Sequence, residues 1–508
     1  SDETSGAFTQ AAAAFTDDAR TFMPASVERT LVVSPFPAVR LRGKLTYLLH
    51  YPYGCVEQTT SSVFPLLYFG DLAKELDPET FANNESAAMV REGVRRLGTM
   101  QTVSGGFAMW PYGVAPWPWG STYATHFLVE ARRAGHQVES GIYDRALAYV
   151  AGDAKAKMQS GSGDLERVVY DLYVLARAGK ADVGMMDYVR EHQLGQLDVS
   201  SRALLAAAYA AAGNPRMIDS LLANVNENDA VARASGGNLE SPVRNRALLL
   251  LAMLDAAPND PRIPRIVERL SRDASDRWWS THESSLALIA LGQFFRRQRT
   301  TATYSGAVYA GSRMIGTFTA TTAVFRNIKS TAPLRVTFNN GYTAGAAFYS
   351  LTTRGVRNVA AFRPSSDGIK VSRELLTRDG KPLDPAGVKQ GDLLVCVTKV
   401  ESTNGRLDNV VVQNLIPAGL EVENPRLATT ESFTWITGQV SACTKADIRD
   451  DQVLYFVELP ESGTLTYYTL LRAVTPGVYM HPPVYAEAMY VRANHAVGER
   501  GVLIVRTR

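Results

Sequence analysis

The hydrophobic positions of this chain follow two different periods in two regions. From about residue 46 to residue 297, apolar side chains recur every three or four positions, as on one face of an α-helix. Glycine and proline recur between such segments, so the region predicts roughly a dozen helices joined by short turns. Either a closed ring of helical hairpins or an open solenoid would bury these helices. The clearest predicted helices are Ser61–Leu76, Ala203–Ala212, Asn245–Asp255 and Ser284–Phe295.

From about residue 298 onward the pattern changes to that of β-strands. Thr, Val, Tyr and Gly become frequent, and apolar residues alternate with polar ones. The segment Pro364–Gly368 has the composition of a linker, so a cut near residue 360 divides this part into two β-domains. The predicted strands are Thr30–Val33, which precedes the helices, and Leu334–Phe338, Leu393–Val400 and Val410–Val412.

Composition and charge exclude several classes of protein. The 508 residues suffice for about three or four domains, and 46% hydrophobic content excludes a mostly disordered chain. The 53 basic and 50 acidic residues leave a net charge of +3, whereas a nucleic-acid binder needs a concentrated basic face. No apolar run reaches the ~18 residues that cross a bilayer. The start Ser1-Asp2-Glu3 has neither an initiator Met nor a signal peptide, so we expect a mature form or a fragment.

The most specific chemical pattern lies just before a predicted helix. A lone cysteine there is usually a small buried hydrophobe. Cys55 and Gln58, however, are one helical turn apart, so their side chains can face each other. A thiol and a carboxamide held together can condense to a thioester with loss of ammonia, and Gly54 allows the backbone a close approach at a crowded turn. Glu57 receives no chemical role from the sequence. The predicted thioester loop is Gly54, Cys55, Val56, Glu57 and Gln58.

An activated acyl group of this kind needs protection from water, and aromatic side chains are candidates to provide it. Tyr51 and Tyr53 flank the predicted thioester. A second aromatic group lies in a Gly/Pro-rich loop before a helix that starts near Thr122. Its members either shield the thioester or plug the end of the helical ring. They are Trp110, Tyr112, Trp117 and Trp119.

These residues resemble a known family. Gly54 to Gln58 is similar to the thioester motif Gly-Cys-x-Glu-Gln of the alpha-2-macroglobulin and complement superfamily, and Tyr51 to Thr59 resembles the bacterial alpha-2-macroglobulins in particular. The resemblance covers nearly the whole chain, but only the C-terminal part of such proteins. The other segments that carry it are Gly105–Trp110, Gly120–Thr125, Trp278–Ser285, Leu415–Glu421 and Met489-Tyr490.

The resemblance implies a multidomain fold of α and β parts. The thioester domain would be an α/α toroid of helical hairpins, inserted in a CUB-type β-domain and followed by a macroglobulin-type β-sandwich. Residues near 29–40 should then pair with strands after residue 298. The implied bounds are 1–45 for a segment that contributes strands to the CUB-type domain, 46–297 for the toroid, 298–360 for the CUB-type domain and 361–508 for the sandwich.

The resemblance also implies a broad-spectrum protease trap, which is a single-use covalent inhibitor and not an enzyme. Cleavage of a bait region, expected upstream of residue 1, would uncover the thioester. A lysine amine of the protease would attack the Gln58-derived carbonyl, and Cys55 would leave as a thiolate. No cofactor or metal is implied. The implied partners are target proteases and upstream macroglobulin domains of the same protein, in the bacterial periplasm, with membrane anchoring only through a missing N-terminus.

The positions of histidines indicate whether the thioester would prefer hydroxyl or amine targets. Some complement proteins carry a histidine that faces the thioester and favours hydroxyl targets, and the stretch that aligns with it, 161–178, contains none. This favours amine targets. His126 and His282 lie in the helical region, either near the site or as packed helix histidines, because an acid–base role requires fixed geometry.

Two cysteines lie in the last predicted domain. Cys396 and Cys443 are either bridged or two separate buried thiols. Because the resemblance implies the periplasm, an oxidising compartment, we expect a disulfide between them.

Other functions stay open. A thioester module for attachment to surfaces shares the chemistry and differs in its target, so its hydroxyl or amine preference and the presence of a bait region would distinguish it. A cysteine hydrolase would use Cys55 as its nucleophile, but it needs a nearby histidine and leaves Gln58 unexplained. A helical-ring enzyme acting on isoprenoids would need Asp-rich metal motifs.

Overall fold

The structure is a computed structural model of the chain, which divides into two compact units. The first unit comprises Ser1–Ala232 and Glu240–Ala360, and the second comprises Arg233–Leu239 and Ala361–Arg508. The structure describes residues 2–15, 19–51, 53–69, 81, 86–160, 164–223, 225, 231–276, 279–297, 303–339, 342–358, 362–423, 433, 435–436 and 440–508.

The α-helices with defined bounds lie in the first unit. Among the described residues, no helix is long and apolar enough to cross a membrane. The helices are α1 Arg42–Leu49, α2 Val56–Val63, α3 Ser86–Gly98, α4 Pro118–Arg133, α5 Ser140–Ser160, α6 Leu165–Arg177, α7 Val183–His192, α8 Val199–Ala211, α9 Ile218–Leu222, α10 Pro242–Ala256, α11 Ile263–Asp276 and α12 Thr281–Phe295.

Every second helix of this series belongs to a central set. Within the set α2, α4, α6, α8, α10 and α12, each helix packs against the next, and α12 packs against α2, so the contacts run in a closed cycle. The other helices pack against members of this set, as α3 does against α2 and α11 against α10. In α10 every residue from Val243 to Leu254 is buried, which explains four consecutive leucines, because a helix enclosed on all sides needs no polar face.

The observed helices start earlier than their apolar pattern predicts, because polar side chains cap them. α12 begins at Thr281 and not at Ser284, since Ser280 Oγ accepts from the backbone N–H of Glu283 at 3.2 Å and the Glu283 carboxylate accepts from that of Ser280 at 2.8 Å. α2 likewise begins at Val56 and ends at Val63. The part of the predicted helix 61–76 beyond residue 69 lies outside the described residues.

The strands of the first unit form a two-sheet sandwich. Its sheets have the strand orders β1-β8-β3-β6 and β2-β7-β4-β5, with Leu31, Val336 and Leu351 among the residues buried in its core. β3 pairs antiparallel with both β6 and β8, so strands from before and after the helices share one sheet. The strands are β1 Asp2–Ala7, β2 Ala12–Phe15, β3 Glu28–Ser34, β4 Ser305–Ala310, β5 Arg313–Thr319, β6 Ala323–Ile328, β7 Leu334–Phe338 and β8 Phe348–Arg354.

The described strands of the second unit form three sheets, with strand orders β10-β12-β17-β14, β11-β21-β18 and β15-β16-β13-β19-β20-β9. The residues that we read as a linker include β9, which pairs with β20, so that part of the prediction was wrong. The strands are β9 Ser365–Asp367, β10 Ile369–Thr377, β11 Val388–Lys389, β12 Leu393–Ser402, β13 Leu407–Leu415, β14 Leu420–Val422, β15 Lys445–Ile448, β16 Gln452–Leu459, β17 Thr464–Ala473, β18 Gly477–His481, β19 Tyr485–Ala488, β20 His495–Val497 and β21 Gly501–Arg506.

A short segment from within the predicted helical region belongs to the second unit. In Arg233–Leu239, the Ser235 hydroxyl accepts from the backbone N–H of Asp408 at 3.1 Å, and the Ser235 carbonyl accepts from the Asn409 side chain at 2.7 Å. Such long-range hydrogen bonds leave no periodic signal in the sequence.

The expected disulfide of the second unit is not formed. Cys396 and Cys443 are both described, and each is a free thiol. Cys396 is buried on β12 in the core that includes Leu394 and Leu471, where the Asn414 amide donates to its sulfur at 3.4 Å. Cys443 is exposed and precedes β15, which belongs to a different sheet from β12. The two thiols therefore have different environments, one apolar and one facing solvent.

Leu31→Ala tests the packing between β3, which precedes the helices, and β8, which follows them. Leu31 is 0% exposed on β3 and lies opposite Leu351 of β8. We expect its truncation to lower the free energy of unfolding by about 2 to 5 kcal/mol, because it removes buried methyl groups and leaves a cavity. Urea denaturation followed by tryptophan fluorescence measures this. Met314→Ala, at a 57% exposed position of β5, is the control and should change the value by less than about 0.5 kcal/mol.

Candidate functional site: the start of helix α2

The first turn of α2 brings Cys55 and Gln58 together. Cys55 is the N-cap residue, with an extended backbone. The backbone N–H of Gln58 donates to the Cys55 sulfur at 3.4 Å, and the backbone N–H of Cys55 donates to Gln58 Oε1 at 3.2 Å. This is the reciprocal arrangement of a capping box, with a thiol in place of the usual hydroxyl. The cap that starts the helix therefore places the thiol beside the carboxamide.

This pair of side chains is shielded from solvent. Cys55 is 0% exposed and Gln58 is 3% exposed. The backbone N–H of Val56 donates to the carbonyl of Met109 at 2.9 Å, so the loop before α4 lies against the start of α2. Burial of this kind would slow hydrolysis of an acyl group formed here.

Arg96 of α3 bonds to the residues on both sides of the Cys55–Gln58 run. Its Nη2 donates to the carbonyl of Gly54 at 3.0 Å, and its Nε donates to the hydroxyl of Thr59 at 3.2 Å. Arg96 was not predicted from the sequence, because it lies 42 positions from Gly54 and 37 from Thr59 and therefore gives no local signal. Gly54 was singled out, and the structure shows that the group crowding it is this guanidinium.

Glu57, which had no role from the sequence, ties α2 to α12. Its carboxylate is fully buried and accepts from the Ser61 hydroxyl at 2.5 Å and from the Thr281 hydroxyl at 2.8 Å. His282 Nδ1 lies 3.8 Å from the same carboxylate. Because one partner lies on α2 and the other on α12, these hydrogen bonds link the two helices, and Glu57 thereby positions the helix that carries the reactive pair.

The two candidate histidines are packed in the interior of the helical cycle. His126 Nδ1 lies 2.8 Å from the hydroxyl of Tyr170, and burial lowers the pKa of His126 to about 3. The ring of His282 lies edge-on to Tyr123 at 4.7 Å between centroids. Burial, with a smaller contribution from the Arg244 charge, holds the pKa of His282 well below its usual range. Both imidazoles are therefore neutral near pH 7.

Tyr51 and Tyr53 border the site. Their rings meet edge-to-face at 5.3 Å between centroids, and Tyr47 meets Tyr51 in the same way at 5.3 Å. Tyr51, Tyr53 and Gln58 all line one cavity of about 550 Å³ between α1, α2 and α3. The two tyrosines thus stand where a molecule approaching Gln58 would pass.

The second aromatic group does not act as one unit. Trp117 lies close to α2, since a Cβ on Gly120 would be 2.7 Å from its ring and 2.8 Å from the Val56 side chain. Trp119 is buried deeper in the helical cycle, where the Arg244 guanidinium lies 4.2 Å from its ring centroid. Trp110 is buried as well.

Tyr112 is the exception in that group, and its assignment as a shield was wrong. Its side chain is 85% exposed, because residue 112 adopts a left-handed backbone conformation (φ 62°) at a turn next to Gly113. Aromatic content in a loop does not distinguish a ring that turns inward from one that the turn directs to solvent.

Comparisons with known proteins find similar sequences and structures. A family model described as "Bacterial Alpha-2-macroglobulin MG10 domain" matches residues 368–491. An alpha-2-macroglobulin of Xylella fastidiosa is 28% identical over 94% of this chain and 30% of its own length. An alpha-2-macroglobulin of Escherichia coli is 27% identical over 96% of this chain and 30% of its own length.

Solved structures agree with these relatives. Native Escherichia coli alpha-2-macroglobulin from domain MG7 to the C-terminus superposes with a TM-score of 0.84 at 23% identity, over 99% of this chain and 81% of that chain. Salmonella alpha-2-macroglobulin reacted with methylamine has a TM-score of 0.83 at 25% identity, over 99% of this chain and 33% of that chain. The chain is thus similar to bacterial alpha-2-macroglobulins over nearly its whole length, and it spans 30% of the length of the two relatives named above.

Glu57→Ala should destabilise the first unit. The substitution leaves the hydroxyls of Ser61 and Thr281 buried without this acceptor, so the free energy of unfolding should fall by about 3 kcal/mol in urea denaturation. Glu92→Ala removes an exposed carboxylate that pairs with Arg95 and should change stability by less than about 0.5 kcal/mol. Equal effects of the two substitutions would show that Glu57 does not hold α2.

Acid should destabilise the fold through His126. Below pH 6.5 the unfolded chain binds a proton at His126 that the folded chain, with its pKa of about 3, does not bind. For each unit by which the pH is lowered below 6.5, the free energy of unfolding therefore decreases by ~1.4 kcal/mol, which amounts to ~2 kcal/mol at pH 5.0. His126→Gln should lose ~2 kcal/mol less than the wild type between pH 7.5 and 5.0. An identical loss in both proteins would mean that folded His126 does carry the proton.

Proposed function

We propose that this chain is the thioester-bearing part of a broad-spectrum protease inhibitor, and that Cys55 and Gln58 form the thioester. The observation that carries the proposal is the reciprocal hydrogen bonding of these two residues in a buried cap. The methylamine-reacted Salmonella relative supports it, since methylamine is a small amine nucleophile. The inhibitor acts once per molecule and does not turn over.

The proposed chemistry has two steps. In the first, the Cys55 sulfur bonds to the Gln58 side-chain carbonyl carbon, and the amide nitrogen leaves as ammonia. In the second, after cleavage of a bait region in an upstream part, a lysine amine of the attacking protease bonds to the same carbon. The carbon–sulfur bond breaks, and the thiol of Cys55 is released. The protease then remains attached through an amide bond.

We assign the parts of the chain accordingly. The closed cycle of helices within residues 46–297 is proposed as the α/α toroid of the thioester domain. The sandwich built from residues 1–45 and 298–360 is proposed as the CUB-type domain, and residues 361–508 as the macroglobulin-like domain. Its proposed partners are target proteases and the upstream domains of the same protein, in the bacterial periplasm. Tyr51, Tyr53, Trp110, Trp117 and Trp119 remain the proposed water-excluding side chains.

Intact mass of the native chain tests the proposal. A formed thioester makes the chain about 17 Da lighter than its sequence, because ammonia is lost. Methylamine should then add about 31 Da and release one titratable thiol, since it opens the thioester as an amide. Tandem mass spectrometry should place the adduct at Gln58.

Two variants serve as controls for this measurement. Cys55→Ala and Gln58→Ala each remove one partner, so both should show the mass of their sequences and take up no methylamine. A wild-type chain with its unmodified sequence mass, no methylamine adduct and a Cys55 that is alkylated from the start would contradict the proposal for this chain.

A further inference from the structure

Arg96 spans the reactive loop from the outside. Its two hydrogen bonds reach Gly54 and Thr59, the residues that directly precede and follow the run from Cys55 to Gln58. Neither acceptor belongs to the reactive pair. The guanidinium therefore fixes the two ends of the run without touching the atoms that react.

Gly54 is shaped for this contact. A Cβ at position 54 would lie 2.2 Å from Arg96 Nη2, well inside contact distance. Gly54 does not adopt a left-handed backbone conformation, so glycine is not needed there for its backbone freedom. It is needed because a side chain would occupy the space of the guanidinium. Glycine at this position thus admits the guanidinium.

The neighbouring Arg95 is used differently. It forms a bidentate pair with Glu92 on the exposed face of α3, at 2.6 and 2.8 Å. Arg96, which is also exposed, instead bonds to Gly54 and Thr59 at the edge of the cavity of about 550 Å³ that Gln58 and Glu92 line as well. The chain thereby offers a matched pair of adjacent arginines, of which Arg96 holds the reactive loop.

We propose that Arg96 is a positioning residue for the thioester, which aids its formation and slows its loss to water. The inference rests on the proposed function. In formation, Cys55 Sγ bonds to Gln58 Cδ, the Cδ–N bond breaks, and the thiol proton leaves with the nitrogen as ammonia. Holding the loop ends lowers the conformational freedom lost in this ring closure. A guanidinium suits this task because its planar fork donates to two acceptors at once.

Substitutions at positions 95 and 96 of the full chain test the assignment. Arg96→Met should lose its thioester to water about tenfold faster than the wild type, which corresponds to ~1.4 kcal/mol. Arg96→Lys should fall between the two, because an ammonium reaches one acceptor at a time. Arg95→Met should match the wild type. Release of the Cys55 thiol over time, measured with a thiol reagent, gives the rates.

A second measurement separates this inference from the proposed function. In the Gln58→Ala background no thioester can form, and Cys55 remains a thiol. Arg96→Met should raise its alkylation rate by iodoacetamide about tenfold over Arg95→Met, because the loop is no longer held. If the wild type shows no mass deficit, the proposed function fails, but this rate still decides the role of Arg96.

Two results would overturn the inference. One is equal thiol release and equal alkylation in the Arg96→Met and Arg95→Met chains. The other is a lower melting temperature of Arg96→Met that is large enough to account for its faster rates, combined with no partial recovery of the melting temperature in Arg96→Lys. In that case Arg96 would only stabilise the fold. Gly54→Ala gives an independent check, since its added methyl displaces the guanidinium and should reproduce the Arg96→Met rates.

Discussion

The N-cap of α2 is the interaction on which the site depends. A helix start leaves backbone N–H groups that need acceptors. In α2 the sulfur of Cys55 accepts from one of them, and the side-chain oxygen of Gln58 accepts from the backbone N–H of Cys55. The hydrogen bonds that cap the start of α2 therefore also place the thiol of Cys55 beside the carboxamide of Gln58. Any change that frays this turn also separates the two groups.

The rest of the first unit holds that turn from several directions. Arg96 bonds to the Gly54 carbonyl on one side of it and to the Thr59 hydroxyl on the other, and the buried carboxyl group of Glu57 binds α12 through Thr281. Met109 accepts from the second residue of the turn. A short helix by itself is marginal in water, so these tertiary contacts give α2 the rigidity that a reactive pair needs.

The sandwich supports the helical cycle by its topology. Because β3 precedes the helices and β6 and β8 follow them, the two ends of the helical segment are brought to one sheet. This limits the freedom of the helices at both termini. The closed cycle of contacts from α2 to α12 and back then encloses the side chain of Glu57, whose polar carboxyl group would be costly in an apolar interior without its hydroxyl partners.

Local spacing in the sequence was sufficient for the helices, for strands such as Leu334–Phe338, and for the facing of Cys55 and Gln58, because one helical turn fixes which side chains are neighbours. It was insufficient for Arg96, for the partners of Glu57 and for the outward turn of Tyr112. The periplasm that the resemblance implies led to a predicted disulfide between two thiols of different environments, and composition led to a predicted linker where β9 lies. These features depend on contacts between distant segments, and such contacts exist only once the chain has packed.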